Sequence, residues 1–337
     1  MEQEFPKQMG APQIAVVGSY ATGLTMKVAR LPISGQTLMG RGYRVDFGGK
    51  GSNQAVGCAR LGAEVQFVCR IGTDRFGDMA FNLYREEGVG IIHAKRSGDA
   101  PTGVGFIVVE EESGRNCIVI DPGANALLSE ADVTEAEPVL QTASVVLAQL
   151  EIPWTTAAGA IERGRANGAL TVLNPAPASP LPASLLGSVD VLTPNESEAK
   201  VLAGYPPDAA VEPQVVAQEL IRSGVKHAVI TLGEEGALLV NAKSQARFPA
   251  VQVQPVDTTG AGDAFNAGLA VALAYRSSIE QAVEFALVTG AMAVTKEGVI
   301  PSLPRRDEVL AFLNDHEMAA PDWLHSMAAA DSSTGSR

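Results

Sequence analysis

Cysteine is scarce in this chain of 337 residues. Cys58, Cys69 and Cys117 leave one unpaired and show no metal-ligand spacing, which points to a reducing setting, the cytoplasm. The four histidines, His93, His227, His316 and His325, stand far apart, so a His/Cys metal cluster or a His-based triad has little support. Basic residues are outnumbered, 25 Lys and Arg against 38 Asp and Glu, for a net charge of −13. Nucleic-acid binders usually carry a basic face, so no nucleic-acid partner is expected. No apolar run reaches the ~20 residues that span a bilayer, and the polar N-terminus is not expected to be a signal peptide. No membrane partner is expected. Two nucleotide fingerprints, the Walker A sequence and G-x-G-x-x-G, are also absent. Gly260-Ala261-Gly262 runs into Asp263-Ala264-Phe265 without a third glycine, which removes the main support for a dehydrogenase.

What is present suits a globular protein. At 46% hydrophobic and 19% charged residues the chain can bury a large core, in one big domain or two smaller ones. Gln13–Val17 ends in Gly18 and has the form of a buried strand. From Glu64 onward, apolar runs at 64–71, 145–150, 170–173, 189–192 and 227–232 alternate with helical patterns near 76–87, 155–167, 213–223 and 280–295. Such alternation predicts an α/β fold, a doubly wound, mostly parallel sheet flanked by helices. Two stretches break the rhythm. Residues 19–47 read as short strands with one wet face, and 102–121 as a hairpin with a glycine turn. Together they predict a small separate β-sheet, a natural lid. One domain is expected over residues 13–314, with loose tails at 1–12 and 315–337.

The chemistry concentrates late in the chain, in Asp257-Thr258-Thr259-Gly260-Ala261-Gly262-Asp263, ahead of apolar Ala264, Phe265, Gly268, Leu269 and Ala272 at helical spacing. A helix start with bare N–H groups can bind an anion, typically phosphate. A carboxylate belongs there as an ordinary helix cap, or as a base that takes the proton of a group attacking the phosphate. On the residues alone, either reading stands.

This stretch, with Gly48-Gly49-Lys50-Gly51-Ser52-Asn53-Gln54-Ala55-Val56-Gly57-Cys58-Ala59-Arg60-Leu61-Gly62, resembles the two signature regions of the ribokinase (PfkB-type) sugar kinases. The resemblance runs from about Ile14 to Phe312 and takes in Gln149-Leu150-Glu151, Asn174-Pro175-Ala176-Pro177, Thr193–Glu198, Thr231–Gly236 and Ala293–Gly298. It implies a kinase that uses ATP, magnesium (Mg2+) and a monovalent cation, usually potassium (K+). Asp263 is then the catalytic base, and Gly260, Ala261 and Gly262 form the anion hole for the γ-phosphoryl group. Gly49, Lys50, Gly51, Ser52, Asn53 and Glu151 fall on the sugar side. Asn195, Thr231, Leu232, Gly233, Glu234, Glu235, Gly236 and Gly262 fall on the ATP side, and Glu198 on magnesium through water. The cation positions are Asp257, Thr259, Ala293, Lys296, Gly298 and Ser302, several through backbone carbonyls only. The alternative for Asn195 and Glu198 is a helix cap over 196–203; for Lys50, a solvated lysine.

Two departures matter. Ala21 and Gly23 stand where the family carries an Asn and an Asp on the ribose hydroxyls, and Leu287 where some members place a His or Asn near the adenine. The expected activity is phosphorylation of a primary hydroxyl of a small sugar, with ribose to ribose 5-phosphate the nearest named reaction. Another pentose, a ketose, a deoxy sugar or a nucleoside is the alternative, and a non-catalytic sugar- or nucleotide-binding regulator is the rival class. The resemblance also implies a homodimer through the lid.

Overall fold

The computed structural model describes residues 11–326. The chain opens with β1 (Gln13–Val17), leaves the body in β2 (Ala21–Val28) and β3 (Arg41–Gly48), and returns in α1 (Lys50–Arg60). β4 (Glu64–Gly72), α2 (Arg75–Glu86) and β5 (Ala94–Ser97) precede a second excursion, β6 (Gly103–Glu110) and β7 (Asn116–Asp121). Short α3 (Glu130–Glu135) and α4 (Glu137–Thr142) lead into β8 (Val145–Gln149), α5 (Trp154–Ala166), β9 (Leu170–Asn174), α6 (Ala183–Leu186) and β10 (Val191–Leu192). Next come α7 (Glu196–Leu202), α8 (Pro213–Arg222), β11 (His227–Thr231), β12 (Ala237–Asn241) and β13 (Gln245–Phe248). The last described elements are α9 (Ala261–Ala274), α10 (Ile279–Ala293), α11 (Val299–Ser302), α12 (Arg306–Asp315) and α13 (Asp322–Ser326).

Nine strands form the main sheet in the order β13-β12-β11-β10-β9-β8-β1-β4-β5. Side chains of a strand alternate between faces, and here both faces are dry. Val145 and Leu147 of β8 join one core with α1, α9 and α10, while Val146 and Ala148 join a second with α5 and α8. That double burial is why these strands read as unbroken apolar runs. Each fully buried Val, Leu or Phe contributes about 1.5–3 kcal/mol.

The second sheet is β3-β2-β6-β7. β2 pairs in parallel with β6, and the hairpin of β6 and β7 turns at Gly114, whose φ is +68°. The strand-helix alternation and the separate small sheet are as the pattern predicts. Two features are not. β12 and β13 extend the main sheet as an antiparallel hairpin, which the strand-helix rhythm did not announce. The described part of the tail expected from Asp315 is docked on the body: Leu324 is fully buried, and Trp323 stacks on Tyr275 with ring centroids 4.5 Å apart. The rest of that tail, and most of the expected N-terminal arm, lies outside the described residues.

The sheet order reverses between β1 and β8. In doubly wound sheets such a switch point, at the carboxyl ends of the strands, is where ligands bind. Here Ser19 after β1 donates its hydroxyl to Glu151 Oε2 after β8, at 2.6 Å. The residues singled out in the sequence gather around this place.

Candidate active site

α9 begins without side-chain capping. Gly260 holds the N-cap position at φ +84°, and a Cβ there would lie 2.7 Å from Val299 Cγ1, so glycine is required twice over. Gly262 is exposed, and a Cβ built on it would meet nothing within 4 Å. The Ala261 N–H donates to the Thr258 carbonyl at a long 3.3 Å, while Gly262 stands beside open space, so this helix start without side chains is of the kind that can bind an anion.

Asp263 in that first turn is not a helix cap. Its carboxylate leaves its own helix and reaches α1, accepting from Asn53 Nδ2 at 2.7 Å on Oδ2 and from Gln54 Nε2 at 2.9 Å on Oδ1. The group is only 7% exposed. Burial raises its pKa above the ordinary carboxylate value, against the opposing pull of Lys50, Gln54 and Asn53. Burial also works against the Lys50 ammonium, yet the carboxylates of Asp263, Glu151 and Glu198 more than offset it and hold the lysine pKa up. Lys50 is thus a half-buried cation among three anions, not a solvated one. Asn53 Oδ1 is buried with no partner, a polar atom left for a ligand hydroxyl.

Beneath the base lies a chain of buried amides. Gln149 Nε2 donates to Gln54 Oε1 at 2.7 Å, and Gln54 Nε2 also donates to Asn174 Oδ1 at 3.1 Å. Asn174 Nδ2 donates to the Thr193 carbonyl, Thr193 Oγ1 to Asn266 Oδ1, and Asn266 Nδ2 to the Gly262 carbonyl. Four polar residues, Gln54, Asn174, Thr193 and Asn266, thereby join the base to the backbone at the helix start, with Gln149 branching from Gln54. Sequence reasoning assigned none of them a role. The available signal was a polar residue closing an apolar strand, as at Gln149 and Asn174, because a buried amide is stable only when hydrogen-bonded.

α1 starts hard against the segment after β1. A Cβ on Gly49 would lie 2.6 Å from Ala21 N, and one on Gly51 would lie 2.5 Å from Ser19 N. Both glycines serve close backbone approach, and Lys50 N–H donates to Glu151 Oε2 at 2.8 Å. Ser52 is fully buried, its N–H spent on the Ser19 carbonyl, so its side chain faces the interior rather than the cleft. Tyr20 and Thr22 bond each other at 3.1 Å and are likewise buried. Neither replaces the polar groups missing at Ala21 and Gly23. Asp46 is the cross-strand partner of Gly23, its Cβ 3.7 Å from the position a Gly23 Cβ would take, and its carboxylate lies 3.5 Å from Arg44 Nε. Arg44, two residues away on the same face of β3, pairs with Glu297 beside the Asp257 loop.

Asn195 and Glu198 do form a capping box, Asn195 Oδ1 accepting from Glu198 N and Glu198 Oε2 from Asn195 N. The Glu198 carboxyl is also partly buried, which raises its pKa, and it is coupled to Lys50 and Asp263. Capping and proximity to the site coexist. Thr231 bridges to Asn195, and Gly233 and Gly236 turn the following loop at φ +57° and +98°. The side chains of Glu234 and Glu235 stand in solvent, while Leu232 is buried. Leu287 is partly buried against the α9/α10 core.

Asp257 clamps two loops, accepting from Thr259 N at 2.9 Å and Gly298 N at 3.0 Å. The Lys296 side chain points away to Glu308, which leaves only its backbone for an ion. Ala293 ends α10, and Ser302 is buried. One carboxylate with carbonyl and hydroxyl oxygens is a donor set of the kind that hard cations take. Among the described residues there is no cluster of three His, Cys, Asp or Glu that would hold a metal.

Residues 11–306 match the model of the pfkB family carbohydrate kinases. The chain is 39% identical over 303 residues to a ribokinase of Haemophilus influenzae, covering 89% of this chain and 98% of the relative. It is 33% identical over 305 residues to a deoxyribokinase of Salmonella typhi, covering 90% and 99%. The structure of Arabidopsis thaliana ribokinase complexed with ribose and ATP superposes with a TM-score of 0.84 at 31% identity, over 90% of this chain and 99% of that one. The bare helix start, the buried carboxylate beside it and these likenesses along nearly the whole described chain agree: the chain belongs to the pfkB carbohydrate kinase family and is an ATP-dependent, ribokinase-like sugar kinase.

Proposed function

We propose that the cleft transfers the γ-phosphoryl group of ATP to the primary hydroxyl of a pentose or deoxypentose, with Asp263 as general base. The observation that carries this reading is the buried Asp263 carboxylate, held by Asn53 and Gln54 beside the bare start of α9. Asp263 takes the hydroxyl proton as the sugar oxygen bonds to phosphorus; the bond from phosphorus to the bridging oxygen breaks, and ADP leaves. The N–H groups of Gly260, Ala261 and Gly262 face the charge that grows on the transferred oxygens. Lys50, Asn53 and Glu151 bind the sugar, and Gly49 and Gly51 let α1 start close to it. Asn195 and the Thr231–Gly236 loop carry the nucleotide, with Leu287 offering the base an apolar contact. The names of the relatives, ribokinase and deoxyribokinase, support a five-carbon sugar.

Glu198 would hold magnesium through water, an ion that usually keeps several of its waters beside phosphate oxygens. The set of Asp257, Thr259, Ala293, Lys296, Gly298 and Ser302 would hold potassium, which when bound would supply positive charge to the phosphoryl side of the site. The second sheet serves as lid and dimer contact: all six residues of β7 are exposed, among them Ile118, Val119 and Ile120. No described helix is long and apolar enough to cross a membrane, and with three free cysteines a cytoplasmic setting fits.

The decisive experiment measures ATP consumption with ribose, 2-deoxyribose, arabinose, xylulose, fructose and adenosine, for the natural enzyme and for Asp263→Asn. The expected outcome is turnover of a pentose that falls by at least ~10²-fold in the variant, the scale of general-base loss. Natural-level turnover in Asp263→Asn would overturn the role of Asp263. At fixed magnesium, a flat rate across lithium, sodium, potassium and caesium would remove the cation site.

A further inference from the structure

Asp263 sits on α9, yet both of its oxygens are held from α1. The two donors differ in depth. Asn53 is 5% exposed at the cleft, whereas Gln54 is fully buried. Oδ1 is held by the more deeply buried donor, Gln54, and Oδ2 by Asn53, which retains a little exposure.

Gln54 has no freedom to do otherwise. Its Nε2 donates to two acceptors, Asp263 Oδ1 and Asn174 Oδ1, and its Oε1 accepts from Gln149 Nε2. A flipped amide would aim its carbonyl at two acceptors and its NH₂ group at another NH₂ group. Gln149 is locked in turn: a flip would bring its own carbonyl against Gln54 Oε1, although its Oε1 is buried without a partner in the present orientation. A buried acceptor left unpaired is costly. The fold retains that defect, and what the retained orientation secures is the direction of the Gln54 amide.

Taking the base assignment of Asp263 as its starting point, we infer that Gln54, oriented by Gln149, is a positioning residue that pins Asp263 Oδ1 inward and leaves Oδ2 as the oxygen that receives the substrate proton. Donation to Oδ1 also favours the ionised carboxylate, the form able to act as a base. The other charged groups around Asp263 are Lys50 on α1, Glu151 after β8 and Glu198 on α7. None of these is altered in the variants that follow, so any change in the pH profile reports the amide.

The test compares Gln54→Met, Gln149→Met and Asp263→Asn in the full chain, with kcat, the KM of each substrate and the pH profile of kcat. Gln54→Met keeps length and removes the donor. It is expected to lower kcat by on the order of 10- to 100-fold, the scale of a misplaced catalytic group. Both KM values stay within about threefold, as expected when an interaction specific to the transition state is lost. The acid limb moves to higher pH, because the ionised carboxylate has lost a donor. Gln149→Met is expected to act in the same direction and less strongly. A lower melting temperature with unchanged kcat and an unmoved acid limb would overturn the inference. Should Gln54→Met fail to fold, the same two readouts in Gln149→Met decide. A fully active Asp263→Asn would overturn the base assignment itself, whereas an inactive Asp263→Asn beside unaffected glutamine variants overturns only the positioning role.

Discussion

One methyl group tests whether the spacing of α1 and α9 sets the activity. Gly57 lies one turn beyond Asn53 on α1, and Ala267 one turn beyond Asp263 on α9. A Cβ on Gly57 would lie 2.7 Å from the Ala267 Cβ, whereas ordinary contact begins at 3.4 Å. Gly57→Ala must therefore part the helices by about 0.7 Å, because packed cores deform little. Carried one turn along, that shift stretches the Asn53–Asp263 bond from 2.7 Å and the Gln54–Asp263 bond from 2.9 Å beyond the usual ~3.2 Å limit. A 1 Å misplacement can cost roughly 10²-fold in rate, so kcat is expected to fall by 10- to 100-fold. The stability change is smaller: overpacking costs about 1–3 kcal/mol, and replacing a helical glycine returns up to about 1 kcal/mol. The compensating variant Gly57→Ala/Ala267→Gly moves the methyl to the opposite helix. The next neighbour of the new Cβ, Leu303, is 3.9 Å away, so the double variant should regain most of kcat. Steady-state kinetics and thermal melts on the three proteins suffice. Gly57→Ala at natural kcat, or a double variant no better than the single, would refute the reasoning.

Three further outcomes follow from the site and its frame. Because burial raises the Asp263 pKa and only the ionised form accepts a proton, kcat should fall as pH drops through a limb above the ordinary carboxylate value of ~3.9; a limb at or below that value would count against it. On the proposal that Asp46, opposite Gly23, accepts a sugar hydroxyl, Asp46→Ala should lower kcat/KM for ribose by on the order of tenfold with the KM for ATP unchanged, the loss of one acceptor at roughly 1–3 kcal/mol; equal kcat/KM would exclude Asp46 from recognition. Asp132 accepts from Arg70 at 2.9 Å and lies 2.8 Å from Lys95. Burial opposes its charge, but these partners hold the pKa down to about 2, so its contribution is full above the unfolded value of ~3.9 and is lost as pH falls toward 2. Asp132→Asn should cost roughly 2 kcal/mol at neutral pH, less than the loss of a fully enclosed pair, and the gap in denaturant midpoint should close in acid; a gap independent of pH would refute the pairing.

The pattern of side chains by itself determined the alternation of strands and helices, the separate small sheet, and the two glycine-rich starts that deliver Lys50 and Asp263. These features are local. A buried strand needs an apolar run, a tight turn needs glycine, and a bare helix start needs residues without side chains, so each is written within a few neighbouring positions. What the tertiary structure decided is which groups meet. Asp263 could equally have capped its own helix; only the packing of α1 on α9 turns it toward Asn53 and Gln54, more than 200 positions away. Gln54, Gln149, Asn174, Thr193 and Asn266 carry no mark in the sequence that ties them together, because a hydrogen bond between amides depends on distance and orientation rather than on spacing along the chain. The same holds for Asp46 opposite Gly23, a relation set by the register of β2 on β3. Residues 315–326 show the limit from the other side: their low periodicity read as part of a tail, yet one tryptophan and one leucine dock them to α9 and α10 through Tyr275 and Phe285, since burial rewards a few large apolar contacts whatever the pattern around them.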